Sequence, residues 1–392
     1  MNQATKAHGL DGTLVEPDWP PLNLDEVRTL LRSFPTAGDP IEILSSSPRP
    51  FSAAGVIRTS HGKVFIKRHA RAVRDAEGLR EEHRFMRHLC ANGFEVPRIL
   101  ATAAAETAVE INDWTYEVHE IPAGLDLYED AISWTPFRSA DHARSAGEML
   151  GRLHIAAQHF DAPPRKPRPL VASFSIFASQ DAREALKQYL EARPLLNLHL
   201  PTYRDCAEAI DLLSPFHDEL KPLLPSLHPL WTQNDLHASN LFWSDTSSRA
   251  RATAVIDFGL ADRTNAVYDI AQAIERNIVE WLTLMRDSKN GEDVPVHLDH
   301  LDAMLDGYEQ VRPLSHAEAA ALAPMVALGH AEFALTEAHY FLGVLHSQEK
   351  ARIATNDYLV KHARWFRGPG TKSLLEPLRR WAETRQPQAV RA

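Results

Sequence analysis

The chain has 392 residues, of which 44% are hydrophobic and 24% are charged, and its formal net charge at pH 7 is −10. This length suffices for one large domain or two coupled domains with a large core. The acidic balance argues against a general nucleic-acid binder, which usually presents a basic face. It is compatible with a cationic or neutral small substrate and also with simple solubility.

The cysteines and the apolar runs narrow the class of protein further. Two cysteines, Cys90 and Cys206, cannot build a disulfide framework or a cysteine-based zinc site. The polar N-terminus lacks the apolar core of a signal peptide, and no uninterrupted apolar run is long enough for a membrane span. We therefore expect a cytoplasmic protein that binds neither nucleic acid nor membrane, and the sequence leaves its oligomeric state open.

The first third of the chain predicts a small sheet. Residues 1–22 contain three prolines and predict a disordered or loosely docked tail, and the segment LNLDEVRTLLRSF follows as a short helix. AGVIRT and KVFIKRH predict one hairpin, and TAVEI and WTYEVHEI predict a second. A helix is predicted between the hairpins, over residues 73–91. We therefore expect a mostly antiparallel sheet that carries one helix.

Helical periodicity dominates from about residue 138 onward. After the helix SADHARSAGEMLGRLHIAAQHF, long helical patterns cover about 180–222, 267–288, 297–311 and 315–348. Residues 161–173, rich in proline and arginine, predict a surface loop. The 20 histidines show no metal-ligand spacing such as H-E-x-x-H, and we expect most of them at the surface or the edge of the core.

These patterns predict an α+β, bilobal chain with a small antiparallel-sheet N-lobe, which carries one helix, and a larger helical C-lobe. We expect the tail and short helix over residues 1–36 and an N-lobe over 37–119. A hinge is expected over 120–126, and a helical C-lobe over 127–392.

Residues 231–270, WTQNDLHASNLFWSDTSSRARATAVIDFGLADRTNAVYDI, contain the groups that phosphoryl transfer requires. Asp235 is expected at a strand end, where its carboxylate can align a substrate hydroxyl. Asn240 offers an amide oxygen to a metal, and Asp257, after the strand-like ATAVI, offers a carboxylate to a metal held by phosphates. Each residue alone also fits a turn former, but D-x4-N followed by D-F-G favours phosphoryl transfer.

NDLHASNLFW, VIDFGLAD and YDIA resemble the aminoglycoside phosphotransferase and choline kinase family, relatives of the protein kinases. The resemblance spans about residues 40–345 and implies a protein-kinase-like fold that transfers the γ-phosphate of ATP, with Mg²⁺, to a small-molecule hydroxyl. It implies that Asp235 is the catalytic aspartate, that Asn240 and Asp257 bind Mg²⁺, and that Asp269 braces the catalytic loop.

Two positions in the catalytic loop need separate mention. Gln233 and Asn234 stand where the family typically has His-Gly, and we expect altered loop packing rather than lost chemistry. His237 matches a family position and is predicted to support the loop.

Lys67 and Glu82 are the predicted nucleotide-binding pair of the N-lobe. In KVFIKRH, strand alternation separates Lys67 from the apolar face formed by its neighbours. Glu82 falls on the apolar stripe of the following helix, which is costly for an acid unless it is paired. We predict an ion pair between them that holds Lys67 on the α- and β-phosphates, as the family pattern also implies. Glu81, on the more polar side, is the alternative.

The segment SSSPRPFSAAGVIRT is predicted to cover the phosphates. Ser52 and the serines at 45–47 either offer hydroxyl and N–H groups to phosphate or form an ordinary Ser/Pro turn. Arg49 is expected to stay solvated. Adenine is expected at the hinge, against backbone groups near Glu120 and Ile121, and GTP is not excluded.

The acceptor pocket is predicted on the helical lobe. Glu275, Arg276 and Glu280 follow YDIA, and Glu332 and Glu337 lie in a later helix. Acids near a phosphoryl-transfer site suit an amine-bearing alcohol or an aminoglycoside-like compound, whereas Arg276 suits the carboxylate of an amino acid such as homoserine. A solvated charged face is the alternative for each of these residues.

Two other functions stay open. The chain could be a catalytically inactive nucleotide-binding or scaffolding relative, although it retains all the residues named for catalysis and nucleotide binding. A protein kinase is disfavoured, because no activation segment ending in Ala-Pro-Glu follows IDFG.

Overall fold

The computed structural model describes residues 7–8, 14–286 and 294–384. A five-stranded antiparallel sheet forms the N-terminal lobe, with the strand order β3-β4-β5-β7-β6. The elements of this part of the chain are β1 Ala7–His8, β2 Leu14–Val15, α1 Leu24–Leu31, β3 Pro40–Ser46, β4 Ala53–Thr59, β5 Gly62–Ala70, α2 Ala76–Ala91, β6 Val109–Ile111 and β7 Trp114–Glu120. The predicted antiparallel sheet with its helix between two hairpins is confirmed.

The two faces of β5 have different partners, as strand alternation requires. Val64 and Ile66 are buried on the face that packs with α1, whose own apolar stripe includes Val27 and Leu30. Lys67 points to the other face, where it lies opposite Glu117 in the register of β5 and β7. The sheet therefore places Lys67 on the face away from the α1 core.

Helices make up most of the rest of the chain. They are α3 Ala140–Ala156, α4 Ala182–Glu191, α5 Pro194–Leu198, α6 Leu200–Leu220, α7 Ala266–Ile278, α8 Trp281–Arg286, α9 Leu298–Val311, α10 His316–Gly343, α11 Gln348–Arg352, α12 Lys361–Arg367 and α13 Glu376–Glu383. Two π-helical segments, Ile353–Val360 and Thr371–Leu375, lie within the last part. The predicted helix over 267–288 is two helices, because Val279 adopts an extended conformation between α7 and α8.

Two small antiparallel ladders carry the loops of the 231–270 segment. Strand β8 (Pro229–Thr232) pairs with β11 (Asp262–Asn265), and β9 (Leu241–Trp243) pairs with β10 (Ala252–Val255). The chain between β8 and β9 contains Asp235 and Asn240, and the chain between β10 and β11 contains Asp257. The ladders therefore bring the two loops side by side.

Two segments that were predicted to be peripheral are packed into the fold. In the predicted tail, the carboxylate of Asp18 binds Lys350 and accepts a hydrogen bond from Tyr340, while Trp19 packs edge-on against Trp114. Residues 1–6 and 9–13 of that tail lie outside the described residues. The predicted surface loop 161–173 is irregular, but the side chain of Arg165 is fully buried. The predictions of a loosely docked tail and of a surface loop were therefore wrong at Asp18 and Arg165, because these charged side chains pair with residues of the folded chain.

Helix α10 forms the centre of the helical lobe. By length and composition it is the one helix among the described residues that could cross a membrane, yet 94% of its apolar window is buried inside the fold. Apolar residues surround it on all sides, which is typical of a core helix.

Helices α3 and α9 approach each other closely through glycine. A Cβ atom on Gly147 would lie 1.9 Å from the carbonyl oxygen of Met304, and one on Gly307 would lie 2.1 Å from that of Arg144. Neither carbonyl can move without shifting a helix. The absence of a side chain at these positions therefore sets the distance between the two helices.

We predict that Gly147→Ala and Gly307→Ala each lower the free energy of unfolding by about 1–3 kcal/mol, because an added methyl group overpacks the crossing. Denaturant unfolding with an unchanged m-value would measure the loss. Two variants as stable as the wild type would show that the helices are not in this close contact.

Candidate functional site

The backbone of the catalytic loop is held by one buried carboxylate. Asp269, on α7, accepts hydrogen bonds from the N–H groups of Gln233 (3.0 Å) and Asn234 (2.8 Å), and its third partner is the ring Nε2 of His154 at 3.0 Å. Two helical turns further along α7, the Asn277 side chain accepts a hydrogen bond from the N–H of Ala238 and donates one to the carbonyl of Leu236 in the same loop. Helix α7 therefore fixes the loop at both ends.

Gln233 and Asn234, which stand where the family typically has His-Gly, hold this loop through hydrogen bonds of their side chains. The Gln233 side chain accepts from the N–H of Asp235 (2.8 Å) and donates to the carbonyl of Asp257 (2.7 Å), so it ties the two loops together. Asn234 adopts φ +63°, which asparagine tolerates better than most residues, and donates to the carbonyl of Leu260. The packing of the loop is explained by these two side chains.

Asp235 lies between a cation and an amide. Its Oδ1 is 2.9 Å from Nε of the fully buried Arg276, and its Oδ2 accepts from Nδ2 of Asn240 at 3.1 Å. Burial raises the pKa of Asp235 to about 7, Arg276 opposes this rise, and the carboxylate of Asp257 adds to it. The arrangement fixes the direction of the carboxylate while keeping it basic enough to accept a proton.

Asn240 and Asp257 can provide oxygen ligands to a divalent metal. Asn240 uses its amide nitrogen for two hydrogen bonds to Asp235, which leaves its amide oxygen for a metal. Asp257 has φ +53°, and its Oδ1 accepts from the N–H of Gly259. Its Oδ2 lies 3.0 Å from Nζ of Lys67. Oxygen donors of this kind suit Mg²⁺.

The predicted ion pair between Lys67 and Glu82 is wrong for this structure. Lys67 binds Asp257 instead, and the ammonium group lowers the pKa of Asp257 although burial opposes the shift. Glu82 is indeed buried, but it binds Arg74 (2.9 Å) and Arg165 (2.7 Å). Arg165 comes from the segment 161–173, which the sequence placed at the surface.

The alternative carboxylate, Glu81, is also engaged elsewhere. It lies 3.3 Å from Arg168 and 3.6 Å from Arg165, on the same arginine-bearing segment. Helix α2 is therefore joined to the segment 161–173 by acids and arginines.

The carboxylate opposite Lys67 across the sheet is Glu117, and three histidines surround it. His69, His83 and His119 approach its oxygens with their Nε2 atoms at 3.0, 2.8 and 2.8 Å. These are hydrogen-bond distances, and they hold the pKa of Glu117 well below its usual range against the effect of burial. Ten of the 20 histidines are buried within the described part of the chain. The expectation that most histidines lie at the surface or at the edge of the core was wrong for these ten.

The three histidine contacts already satisfy the Glu117 carboxylate, and the region contains three carboxylates and three cations. The acids are Glu82, Glu117 and Asp257, and the cations are Lys67, Arg74 and Arg165. Lys67 thus has two carboxylate neighbours, one in each lobe.

A cleft between the sheet and the two loops has the size for a nucleotide. It encloses about 430 Å³ and includes Lys67, Ser52 and the serines at 45–47 in its wall. Glu120 and Ile121 line the opposite end, but the N–H of Glu120 donates to the carbonyl of Arg98, so only its carbonyl could read adenine. A second cavity of about 110 Å³ adjoins the cleft, and Asp235 lines it.

Arg49 is not solvated, contrary to prediction. Its Nη1 donates to Ser133 Oγ (2.9 Å) and its Nη2 to the carbonyl of Ala131 (3.2 Å). Its guanidinium also lies in the field of Asp235 and Asp257, and burial lowers its pKa. The loop between β3 and β4 therefore reaches the segment that contains Ala131 and Ser133.

Of the three predicted substrate residues on and after α7, only Arg276 contacts Asp235. Glu275 is buried, where it accepts from Tyr358 and lies 3.6 Å from Nδ1 of His362. Glu280 pairs with His297 at 2.9 Å. Neither acid lines either cavity.

The two acids of α10, Glu332 and Glu337, have different contacts. Glu332 accepts from the backbone N–H groups of Ser175 and Ile176, so it has a structural contact. Glu337 is 2% exposed and has no hydrogen-bond partner among the described residues, and burial raises its pKa to about 8. Arg276 and Asp235 are its nearest charges.

His237 lies beside Asp235 in the catalytic loop. Its Nδ1 is 2.9 Å from Ser239 Oγ, and its Nε2 is 3.9 Å from Asp235 Oδ2. Burial lowers its pKa well below the usual value, and the charges of Arg49 and Arg276 lower it further. His237 is therefore a neutral neighbour of the carboxylate and not a second acid.

Comparisons with known proteins find a matching family model and similar relatives. Residues 55–314 match the model of the family described as "Phosphotransferase enzyme family". The homoserine kinase of Gluconobacter oxydans (strain 621H) is 25% identical over 292 residues, which cover 72% of this chain and 77% of that protein. The homoserine kinase of Rhodospirillum rubrum is 28% identical over 267 residues, or 66% of this chain and 68% of that protein.

Solved structures share the fold at low identity. An amicoumacin kinase in complex with AMP-PNP and Ca²⁺ superposes with a TM-score of 0.56 at 14% identity, covering 88% of this chain and 93% of that one. A microcompartment-associated aminopropanol kinase has a TM-score of 0.56 at 16% identity, covering 89% and 99%. The protein-kinase-like fold class is thereby confirmed.

We predict that Glu117→Gln and Glu82→Gln affect different properties. Glu117→Gln removes the carboxylate that remains beside Lys67 once a metal occupies Asp257, and it should weaken metal–nucleotide binding about tenfold, or roughly 1.4 kcal/mol. Glu82→Gln leaves two buried arginines unpaired and should cost about 3–5 kcal/mol of stability. Calorimetric nucleotide binding and denaturant unfolding would measure the two effects.

The opposite pattern would contradict this assignment. If Glu82→Gln weakened nucleotide binding in fully folded protein while Glu117→Gln did not, Glu82 would be the functional partner of Lys67.

Proposed function

Because the chain belongs to the phosphotransferase enzyme family, and is thus an ATP-dependent small-molecule kinase, we propose that it transfers the γ-phosphate of ATP to a hydroxyl of an ammonium-bearing small molecule. The observation that carries the proposal is the position of Asp235. Its carboxylate lines the smaller cavity, which shares Lys67 and Asp257 with the wall of the nucleotide-sized cleft. A hydroxyl in the smaller cavity would lie between Asp235 and the phosphates.

Each residue of the site has one task in this proposal. Lys67 binds the α- and β-phosphates, while Asn240 and Asp257 hold Mg²⁺, which neutralises charge on the phosphates when bound. Asp235 aligns the acceptor hydroxyl and accepts its proton. Arg276 and Asn240 keep the Asp235 carboxylate in one orientation, so the chemistry depends on positioning more than on covalent steps.

The proposal that the acceptor carries an ammonium group rests on Glu337. This buried carboxyl has no hydrogen-bond partner among the described residues, and an unpaired acid of this kind is costly unless a ligand completes it. Phe333, which lines the smaller cavity, lies one turn before Glu337 on α10, so both point to the same side. Amino alcohols, homoserine-like amino acids and aminoglycoside-like compounds carry the required hydroxyl and ammonium.

The relatives support this class of acceptor without identifying one. Two are named homoserine kinases, and one structural neighbour is an aminopropanol kinase. Arg276 is engaged by Asp235 and Gln272, so a carboxylate on the acceptor would have to share it. We keep the cytoplasm as the proposed location.

The proposed function is tested by ATP consumption in the presence of Mg²⁺ and a panel of amino alcohols, homoserine and aminoglycosides. We expect at least one acceptor to raise turnover well above the background hydrolysis. Asp235→Asn should abolish transfer, because the amide cannot accept the hydroxyl proton, and it should leave nucleotide binding largely intact.

A failure of every acceptor, together with no shift of the melting temperature by Mg²⁺–ATP, would contradict a kinase and favour an inactive relative. Loss of nucleotide binding in Asp235→Asn would show that Asp235 has a different role.

We predict that recognition of the ammonium group depends on pH through Glu337. Arg276, Asp235, Glu275 and Tyr358 are the charged and titratable groups that face it. Since its pKa is about 8, the carboxyl must lose a proton before it pairs with ammonium. The KM for an ammonium acceptor should therefore fall as the pH rises toward 8, by up to about tenfold per pH unit.

Glu337→Gln keeps the size of the side chain and removes the titration. Its KM should exceed that of the wild type at pH 8 and should vary little between pH 6.5 and 8. A wild-type pH profile that persists in Glu337→Gln would assign the titration to another group.

A further inference from the structure

A buried arginine joins the sheet lobe to the loop that carries Asp257. Arg74 lies between β5 and α2 and is 4% exposed. Its guanidinium has five N–H groups, and each of them donates. Nε binds Glu82 at 2.9 Å, and the other four donate to the backbone carbonyls of Val73 (3.1 Å), Pro169 (2.8 Å), Leu170 (2.6 Å) and Gly259 (2.7 Å). Arg74 is therefore held in one position.

The carbonyl of Gly259 has a second guanidinium partner. Nη1 of Arg165 donates to it at 3.0 Å and to the carbonyl of Ala261 at 3.3 Å. Arg165 also binds the same oxygen of Glu82 that Arg74 binds. One carboxylate of α2 thus orients two arginines, and both hold the backbone two residues after Asp257.

Asp257 requires such support from its neighbours. It adopts φ +53°, in the left-handed region that residues other than glycine rarely adopt. A backbone conformation of this kind persists only where the surrounding contacts impose it. Gln233 donates to the Asp257 carbonyl at 2.7 Å, and the N–H of Gly259 donates to Oδ1 of the Asp257 side chain at 3.1 Å. A fixed Gly259 therefore also fixes the Asp257 carboxylate.

We propose that Arg74 is a positioning residue that keeps the Asp257 carboxylate in its metal-binding conformation before a metal binds. The inference rests on the proposed function, in which Asp257 holds Mg²⁺. Arg74 donates to the carbonyl of Gly259 and so acts on Asp257 through the backbone. A preformed ligand binds more tightly because less conformational freedom is lost on binding. Partners that orient a metal ligand typically contribute about 10- to 100-fold to metal affinity.

The competing explanation is that Arg74 only attaches α2 to the segment 161–173. Arg168 provides the matched control, because it joins the same helix to the same segment. Its guanidinium lies 3.3 Å from the carboxylate of Glu81 on α2 and 3.3 Å from that of Asp75, the residue that caps α2. If attachment of the helix were the whole role of Arg74, loss of either arginine would have the same effect.

The test measures by calorimetry how ADP binding depends on Mg²⁺ in the wild type, Arg74→Lys and Arg168→Ala. Lysine keeps the charge beside Glu82, but its ammonium cannot reproduce the fork of donors that binds the four carbonyls. We expect Arg74→Lys to need about 10- to 100-fold more Mg²⁺ for half-maximal ADP binding. Its affinity for metal-free ADP should be no weaker than that of the wild type. Arg168→Ala should keep the wild-type dependence on Mg²⁺.

Hydrogen exchange of the metal-free wild type tests the same claim without a variant. The N–H of Gly259 donates to Oδ1 of Asp257, and the N–H of Ala261 donates to the carbonyl of Phe258. We expect both amide hydrogens to exchange far more slowly than in an unstructured peptide, with little further protection by Mg²⁺–ADP. If Arg74→Lys does not fold, this measurement decides alone.

Rapid exchange that Mg²⁺–ADP then slows would overturn the proposal, because the metal itself would order the loop. A folded Arg74→Lys with the wild-type dependence on Mg²⁺, or an equal loss in Arg168→Ala, would also overturn it. Failure of the proposed function is recognised separately, since the wild type would then transfer phosphate to no acceptor in the panel.

Discussion

The site depends first on the buried carboxylate of Asp269. Backbone N–H groups at a strand end must find partners when they are buried, and Asp269 provides them for Gln233 and Asn234. Because Asp269 is fully buried and also contacts His154, it cannot move without breaking several hydrogen bonds. Asp235 follows directly in the chain, so its position is determined by this one anchor.

Helix α7 extends the same control to the rest of the catalytic loop. Asp269, Arg276 and Asn277 are seven and eight residues apart, which places them on one side of a helix. Arg276 orients the Asp235 carboxylate, and Asn277 fixes the backbone three residues further on. The loop continues to Asn240, whose carbonyl accepts from the N–H of Ile256, next to Asp257. A rigid helix thereby sets the geometry of both loops.

The sheet contributes Lys67 to this frame. Lys67 lies between Asp257 of the second loop and Glu117 of its own sheet. We propose that a metal at Asp257 would release Lys67 for phosphates, while Glu117, held by three histidines, stays in place. The two lobes are thus joined by an ion pair that nucleotide binding would exchange for contacts to the ligand.

Much of this could be predicted from the sequence, for a physical reason. Strand alternation, helical periodicity and the spacing of Asp235, Asn240 and Asp257 are local properties, and local patterns determine elements and loops. The partner of Glu82 could not be predicted, because Arg165 comes from an irregular segment 83 residues away. The bridging by Gln233 likewise depends on two loops that only the folded chain brings together.

A crystal structure with Mg²⁺ and a non-hydrolysable ATP analogue tests the account most directly. We expect Mg²⁺ between Asn240 and Asp257, Lys67 on the phosphates, and the γ-phosphate facing Asp235. A triphosphate bound outside the cleft, or a metal away from these two loops, would contradict it.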